Sequence, residues 1–371
     1  MKARSLFAPF ALLSSFLSAM PTHHLYIGTY TRDGSKGIYA LTLDGATGAL
    51  STPTVAAETG SPSFIALSPD HRFLYAVNES EQMAVAYGVD AATGKLTALQ
   101  PPQSAGGKAP CHLVVDATGR SLVVANYHTG IVAALPIRAD GTLGAPGSVI
   151  QHTGSSINPE RQSSPHVHSV TLSPDNRHVI VCDLGLDKIF TYRLDPATAK
   201  LTPAEPPFVA TAPGSGPRHF KFSPDGRHAF AITEMGGTMT SYVYNAANGA
   251  LTPVNTLSTL QADFKGTPSG AEVRVHPNGR FVYGSDRTIS SIAVFAVDPA
   301  TGKLSLVEIT PTGGKSPRNF ALSPDGAWLV SANQYSNSLT VFRVDPATGR
   351  LTRVPDAAAT ISTPVCVLFA D

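Results

Sequence analysis

The sequence predicts an all-β chain folded as a seven-bladed β-propeller whose ring is closed by the two chain termini. Three observations carry this expectation. The segment DGATGAL at 44–50 returns as DAATGKL, RADGTL, DPATAKL, NAANGAL, DPATGKL and DPATGRL, which makes seven copies. A second turn repeats out of phase with it, as SPDH at 68 and then DATG, SPDN, SPDG, HPNG and SPDG. The runs between the turns are short and strand-like, as in FLYAV, SLVVA, HVIVC and HAFAI. Asp, Asn, Pro and Gly at fixed offsets between such runs are β-turn chemistry.

The final leucines of the seven copies run from Leu50 to Leu351 at a mean spacing of about 50 residues, enough for four short antiparallel strands. A unit of this size cannot bury both of its faces alone. Radial stacking of four-stranded sheets buries them and leaves only short edges. A solenoid has shorter periods and no turn pairs of this kind. The N-terminal HHLYIGTYT matches second strands such as FLYAVNES, and the C-terminal TPVCVLF matches first strands such as SPSFIAL. One blade is therefore expected to be shared between the chain ends.

Of the 371 residues, 42% are apolar and 14% charged, with a formal net charge of +1 and no long run of one sign. The chain reads as globular, without the electrostatic footprint of a nucleic-acid binder. Residues 1–20 place Lys2 and Arg4 before an uncharged, mostly apolar stretch that is too short to span a bilayer, and read as a signal peptide. The expected organisation is a signal over 1–20 and a single propeller domain over 21–371, in a periplasmic or secreted protein free of the membrane once the signal is removed. Without a functional signal the protein would be cytoplasmic. Cys111, Cys182 and Cys366 are odd in number, widely spaced and outside any CxxC, so they read as buried free thiols.

With strands counted outward from the channel, the SPDG turns join first to second strands, and both turn families lie on one face. The start of the first strand and the end of the second meet on the other face, around the channel mouth. Arg218 and Glu234, 16 residues apart, become neighbours there when their hairpin closes. Aligned on their turns, the units place Ser63, Cys111, His168, Arg218, Ala271, Arg318 and Val365 at the start of the first strand, followed by Phe64, His112, Ser169, His219, Glu272, Asn319 and Cys366. The next column, from Ile65 to Val367, is uniformly apolar. The second strands end on Tyr30, Glu79, Tyr127, Leu184, Glu234, Arg287 and Gln334, preceded by an Asn, Asp or Thr column that includes Asn126. Side chains of that last column read more simply as caps on the strand ends.

Function is expected where chemistry diverges on a repeated frame. Arg218, Arg287 and Arg318 converge with His168, His219 and Glu234 on one opening. Arg274 faces the same way as Glu272, so it either joins the site or forms an internal ion pair. One interval between repeats is 58 residues, against 46 to 53 for the others. The excess falls in 151–170, which should emerge on the mouth side with His152, Glu160, Arg161, Gln162, His166 and His168. The His166–His168 pair invites a metal reading, but no carboxylate sits at ligand spacing and anion binding explains the arginines better. No metal is assigned.

LYIGTYT, SPSFIALSPDHRFLYAVNE, APCHLVVDATG, RQSSPHVHSVTLSPD, GPRHFKFSPDGRHAFAITEM and PRNFALSPDG resemble, in order from about residue 25 onward, the propeller lactonase family. That family includes propeller-type 6-phosphogluconolactonases and fungal carboxymuconate cyclases. The resemblance implies opening or closing of lactone rings of anionic sugar or muconate-like acids, with a small-molecule lactone as the partner and no tightly bound cofactor. The site proposed for the cyclase members, a His, two Arg and a Glu, falls by motif on His168 (or His166), Arg218, Glu234, and Arg287 or Arg318.

Lactone hydrolysis needs an activated water, stabilisation of the oxyanion and protonation of the leaving alkoxide. Glu234 or His168 is expected to be the base, and Arg218 to face the oxyanion. Arg287, Arg318 and His219 would hold the substrate anion, with Arg274, His166, His112 and Asn126 as further contacts. No GxSxG elbow supports a serine nucleophile. The alternatives are a muconate-type lactonizing cyclase and a non-enzymatic binding propeller presenting Tyr30, Tyr127 and Tyr335. A calcium ion held by the same carboxylate and Asn/Asp set, as in propeller lactonases of a different family, is also open. A monomer or weak homo-oligomer is expected.

Overall fold

A computed structural model describes residues 21–371. The signal expected over 1–20 lies outside the described residues. Seven four-stranded antiparallel sheets form the blades. Blade one joins Pro364–Phe369 to Thr22–Thr29, Gly37–Asp44 and Thr54–Glu58, with Ile27 opposite Val367 and Tyr26 opposite Leu368. The expected closure is thus made by the C-terminal segment as first strand and the N-terminal segment as second. Blades two to seven take their four strands consecutively, beginning at Ile65, Pro110, Val167, Pro217, Gly270 and Pro317.

Every second strand of blades three to seven is buried along its whole length, as in Ser121–Asn126 and His228–Thr233. Fourth strands such as Lys200–Ala210 are largely exposed. This gradient follows from the ring, because a second strand is sandwiched between two blades and a fourth strand meets water.

The repeated glycine turns lock adjacent blades together. Gly48 has φ +77, and a Cβ there would come within 2.5 Å of the Trp328 ring of blade seven. Trp328, 1% exposed, donates Nε1–H to Gly45 O at 3.1 Å. The same arrangement recurs between Gly141 and Phe73, Gly249 and His178, Gly302 and His228, and Gly349 and Phe281. Glycine is required at these turns both by the left-handed backbone and by the aromatic face lying against it.

Trp328→Ala should cost about 3–5 kcal/mol in chemical denaturation, whereas Val243→Ala, at a position 44% exposed, should stay within about 0.5 kcal/mol. Equal effects at the two sites would refute this account of the ring seam.

Candidate active site

The mouth residues are aimed by a repeated local device. In six blades the pairing of first and second strands slips by one residue, between Pro110 and His112, Val167 and Ser169, Pro217 and His219, Gly270 and Val273, Pro317 and Asn319, and Pro364 and Cys366. In four of them the residue left out of the ladder is Cys111, His168, Arg218 or Arg318. A bulge leaves one residue outside the ladder and re-aims its side chain. The residue before the proline has positive φ in five blades, at Ser61, Ala109, Gly216, Ser316 and Thr363. Four of these five are not glycine, a conformation costing about 1–2 kcal/mol each, so the turn into the mouth is held by surrounding structure.

Glu234 sits at the centre of three guanidinium groups. Its Oε2 lies 3.0 Å from Arg218 Nε and 2.9 Å from Arg287 Nη2, and its Oε1 lies 2.6 Å from Arg161 Nη2. Burial opposes ionisation of Glu234, but Arg287 and Arg218 outweigh it and pull the carboxyl below the usual carboxylate range. Glu234 is therefore an arginine clamp and a weak base. Arg218 also donates Nη1–H to Ala271 O at 2.6 Å. Burial, with Arg287 and Arg318 nearby, pushes Arg218 down to about 9, which still leaves it cationic at neutral pH.

Arg318 differs from the other two mouth arginines. Among the described residues it has no carboxylate and no hydrogen-bond acceptor; its guanidinium lies 5.4 Å from the Tyr30 ring centroid. It lines a tight cleft, with room for about one water, together with Tyr30, Ser63, Cys111, His168, Arg218 and His219. The larger groove lined by Tyr26, Thr54 and Gly94 holds no arginine or lysine.

His168 is 5% exposed, and its Nδ1 is buried without a partner. Burial, then the Arg218 charge, lowers it well below the ordinary imidazole value, so it is neutral at physiological pH. Its ring meets Tyr127 edge-on at 5.5 Å and His219 at 5.3 Å. His166 stacks flat on Tyr127 at 4.5 Å, its Nδ1 3.0 Å from Tyr127 O, and so lies behind His168 rather than in the cleft lining. Cys111 is pushed up to about 12 by burial and is no thiolate nucleophile. Among the described residues, no three His, Cys, Asp or Glu side chains are grouped to hold a metal ion.

Beneath the cleft the channel is sealed by a ring made of one residue per blade. Phe64, His112, Ser169, His219, Glu272, Asn319 and Cys366 are all 8% exposed or less. His112 stacks on Phe64 at 3.8 Å and meets His219 edge-on at 5.1 Å. His219 Nδ1 is 3.1 Å from Glu272 Oε1 in an orientation that makes no hydrogen bond, and Glu272 accepts a hydrogen bond from Asn319. His112 is thus a packing residue of this seal. Arg274 lies on its far side, 3.4 Å from Glu272 Oε2 and bonded through Nε to Phe320 O, so the internal ion pair is the arrangement formed. Asn126 gives its amide hydrogens to Ala105 O and Ile131 O, a cap for its strand end.

The long connection folds over the mouth and is pinned at both ends. His152 bridges Asp183 at 2.7 Å and Tyr192 at 2.8 Å, Ser156 donates to Asp187, and Gln162 donates to Leu184 O. From this frame Arg161 reaches Glu234 and the Tyr127 hydroxyl. Arg161 is a site neighbour that lies outside the aligned columns, whereas Tyr127 stands in the column of second-strand ends. Ser63 and Glu79, from the same two columns that hold Arg218 and Glu234, also pair, Oγ donating to Oε2 at 2.6 Å.

Because Glu234 is depressed in the folded state, its ionisation stabilises the fold fully above about pH 4.3 and progressively less as pH falls toward the folded value. Glu234→Gln should cost about 3–5 kcal/mol near neutrality and flatten the acid side of the stability curve. Urea unfolding from about pH 7 to pH 3 checks this, and an acid slope as steep as wild type would contradict it.

Residues 24–369 match the family model described as lactonase, 7-bladed beta-propeller. The 6-phosphogluconolactonase of Bacillus subtilis is 37% identical over 80% of this chain and 83% of its own length. That of Formosa agariphila is 30% identical over 80% and 86%. The solved periplasmic gluconolactonase of Pseudomonas aeruginosa superposes with a TM-score of 0.89 at 36% identity, covering 94% of this chain and 99% of that one. The bulged mouth arginines, the sealed channel and the closed seven-blade ring therefore belong to a member of the seven-bladed β-propeller lactonase family.

Proposed function

We propose that this protein hydrolyses the lactone of an anionic sugar acid at the channel mouth, with His168 as base and Arg318 as the anion-binding group. One observation carries the reading: a neutral, partnerless imidazole and an unpaired guanidinium line the same narrow cleft. His168 takes a proton from water as the water oxygen attacks the ring carbonyl. The negative charge that develops on the carbonyl oxygen meets Arg218, whose Nη2 donates to no protein acceptor among the described residues. Collapse breaks the ring C–O bond, and the alkoxide recovers the proton from His168, leaving a hydroxy acid. Glu234 fixes Arg218 and Arg287 in place, a role consistent with its poor basicity.

The names of two relatives favour a phosphorylated gluconolactone and that of a third favours gluconolactone itself. Export by residues 1–20 to the periplasm, with residues 21–371 as the mature domain, agrees with the unphosphorylated substrate, because sugar phosphates are cytoplasmic metabolites. In that case Arg318 meets the carboxylate formed on ring opening.

Assayed by proton release on gluconolactone and 6-phosphogluconolactone, His168→Ala should lose about 10²–10⁴ in kcat, and Arg318→Ala should raise KM or lose the preferred substrate. Ser63→Ala should keep most activity. A dead Ser63→Ala with a trapped acyl-enzyme would replace this mechanism with a nucleophilic one. Since His168 is depressed in the free protein, kcat/KM should hold constant through neutral pH and fall only well below about 6.5. An acid limb at or above that value would exclude His168 as the base.

A further inference from the structure

The buried ring that seals the mouth also divides the channel into two chambers, and the lower one has its own charge pattern. One step further down each first strand, the channel is lined by Ala66, Val114, Thr171, Lys221, Arg274, Ala321 and Leu368, five of them half-buried rather than sealed. Two of the seven are cations and none is a carboxylate. Lys221 Nζ has no hydrogen-bond or ion-pair partner among the described residues. Arg274 has one acidic neighbour, Glu272 of the sealing ring, and its side chain is 21% exposed.

One positive charge is left over across these two levels. A lysine held in a protein channel without an acceptor carries a desolvation cost that an anion would offset. Burial, with Arg274 close by, pushes Lys221 down to about 8, as expected for a cation awaiting a counter-charge. The carboxylates at the chamber's outer end are committed: Asp225 to Ser223 and Arg227, Asp175 to Ser173 and Arg177, and Asp70 to Ser68. They hold their own turns.

We infer that this lower chamber is a second anion-binding site, in which Lys221 Nζ and the Arg274 guanidinium hold a small inorganic oxyanion of the phosphate type. It opens on the turn face, on the opposite side of the sealing ring from the mouth, and is independent of any lactone bound there. Lysine supplies three rotatable donors and arginine a planar fork, the pair of geometries that suits a tetrahedral oxyanion.

The test is a titration of the intact protein with inorganic phosphate, followed by calorimetry and by the shift in thermal midpoint. Wild type should bind and be stabilised as the concentration rises. Lys221→Met, which removes a buried charge and keeps the stem, should weaken phosphate binding about tenfold or more, Lys221→Arg should retain it, and Arg318→Ala at the mouth should leave this site unchanged. Binding by Lys221→Met equal to wild type would overturn the inference. So would complete loss of phosphate binding in Arg318→Ala, which would assign the anion to the mouth, or no binding by wild type at tens of millimolar, roughly the weakest range a designed pair of charges would occupy.

Discussion

A blade whose second strand is buried along its entire length has to be covered on both faces, and only a closed ring does this for every blade at once. The pairing of Pro364–Phe369 with Thr22–Thr29 is therefore the contact on which the rest depends. The seam between blades seven and one uses Trp328 against the Gly48 turn, the same glycine-on-aromatic contact that joins several other neighbours. The ring is not fastened by a special device. It closes because the ends of the chain were built as ordinary members of the repeat.

Closure in turn fixes the inner circle of strands, and the bulges on that circle bring like charges together. Three guanidinium groups converge on Glu234, with a fourth, Arg318, nearby. The cluster is tolerable because the carboxylate, the Ala271 carbonyl and the Ser269 carbonyl each take up part of it. Burial first, and then the same arginine field that stabilises the carboxylate, keeps His168 and His219 neutral. Burial and a compact set of arginines together decide which neighbouring groups carry protons, so the acid–base character of the mouth belongs to the cluster and not to any single side chain.

Much of this was legible in the chain. Seven turn segments out of phase with a second turn family imply the blades, and a hairpin with Arg218 at one end and Glu234 at the other implies their meeting. Arg274 was harder to place. It shares a face with Glu272, but two residues along a strand is about 7 Å, enough to carry it through the sealing ring. Arg161 lies on a connection that has no period, so its reach to Glu234 depends on the His152, Ser156 and Gln162 anchors, which only the folded path reveals. The Cβ-sized distinctions among His112, His166 and His168 rest on ring stacking, which no spacing encodes. Glu234 as a base was a reasonable expectation from its residue type. The number of arginines that settle on it changes that chemistry.

The seven-residue seal under the cleft has a consequence for traffic. A propeller channel that ran through would let small molecules enter at one face and leave at the other. Here the mouth is a cul-de-sac, and whatever comes in must depart past Tyr127 and the pinned strap that carries Arg161. Arrival and departure share one doorway, so the dwell time of an occupant and the waiting time of the next are set by the same few side chains at its threshold.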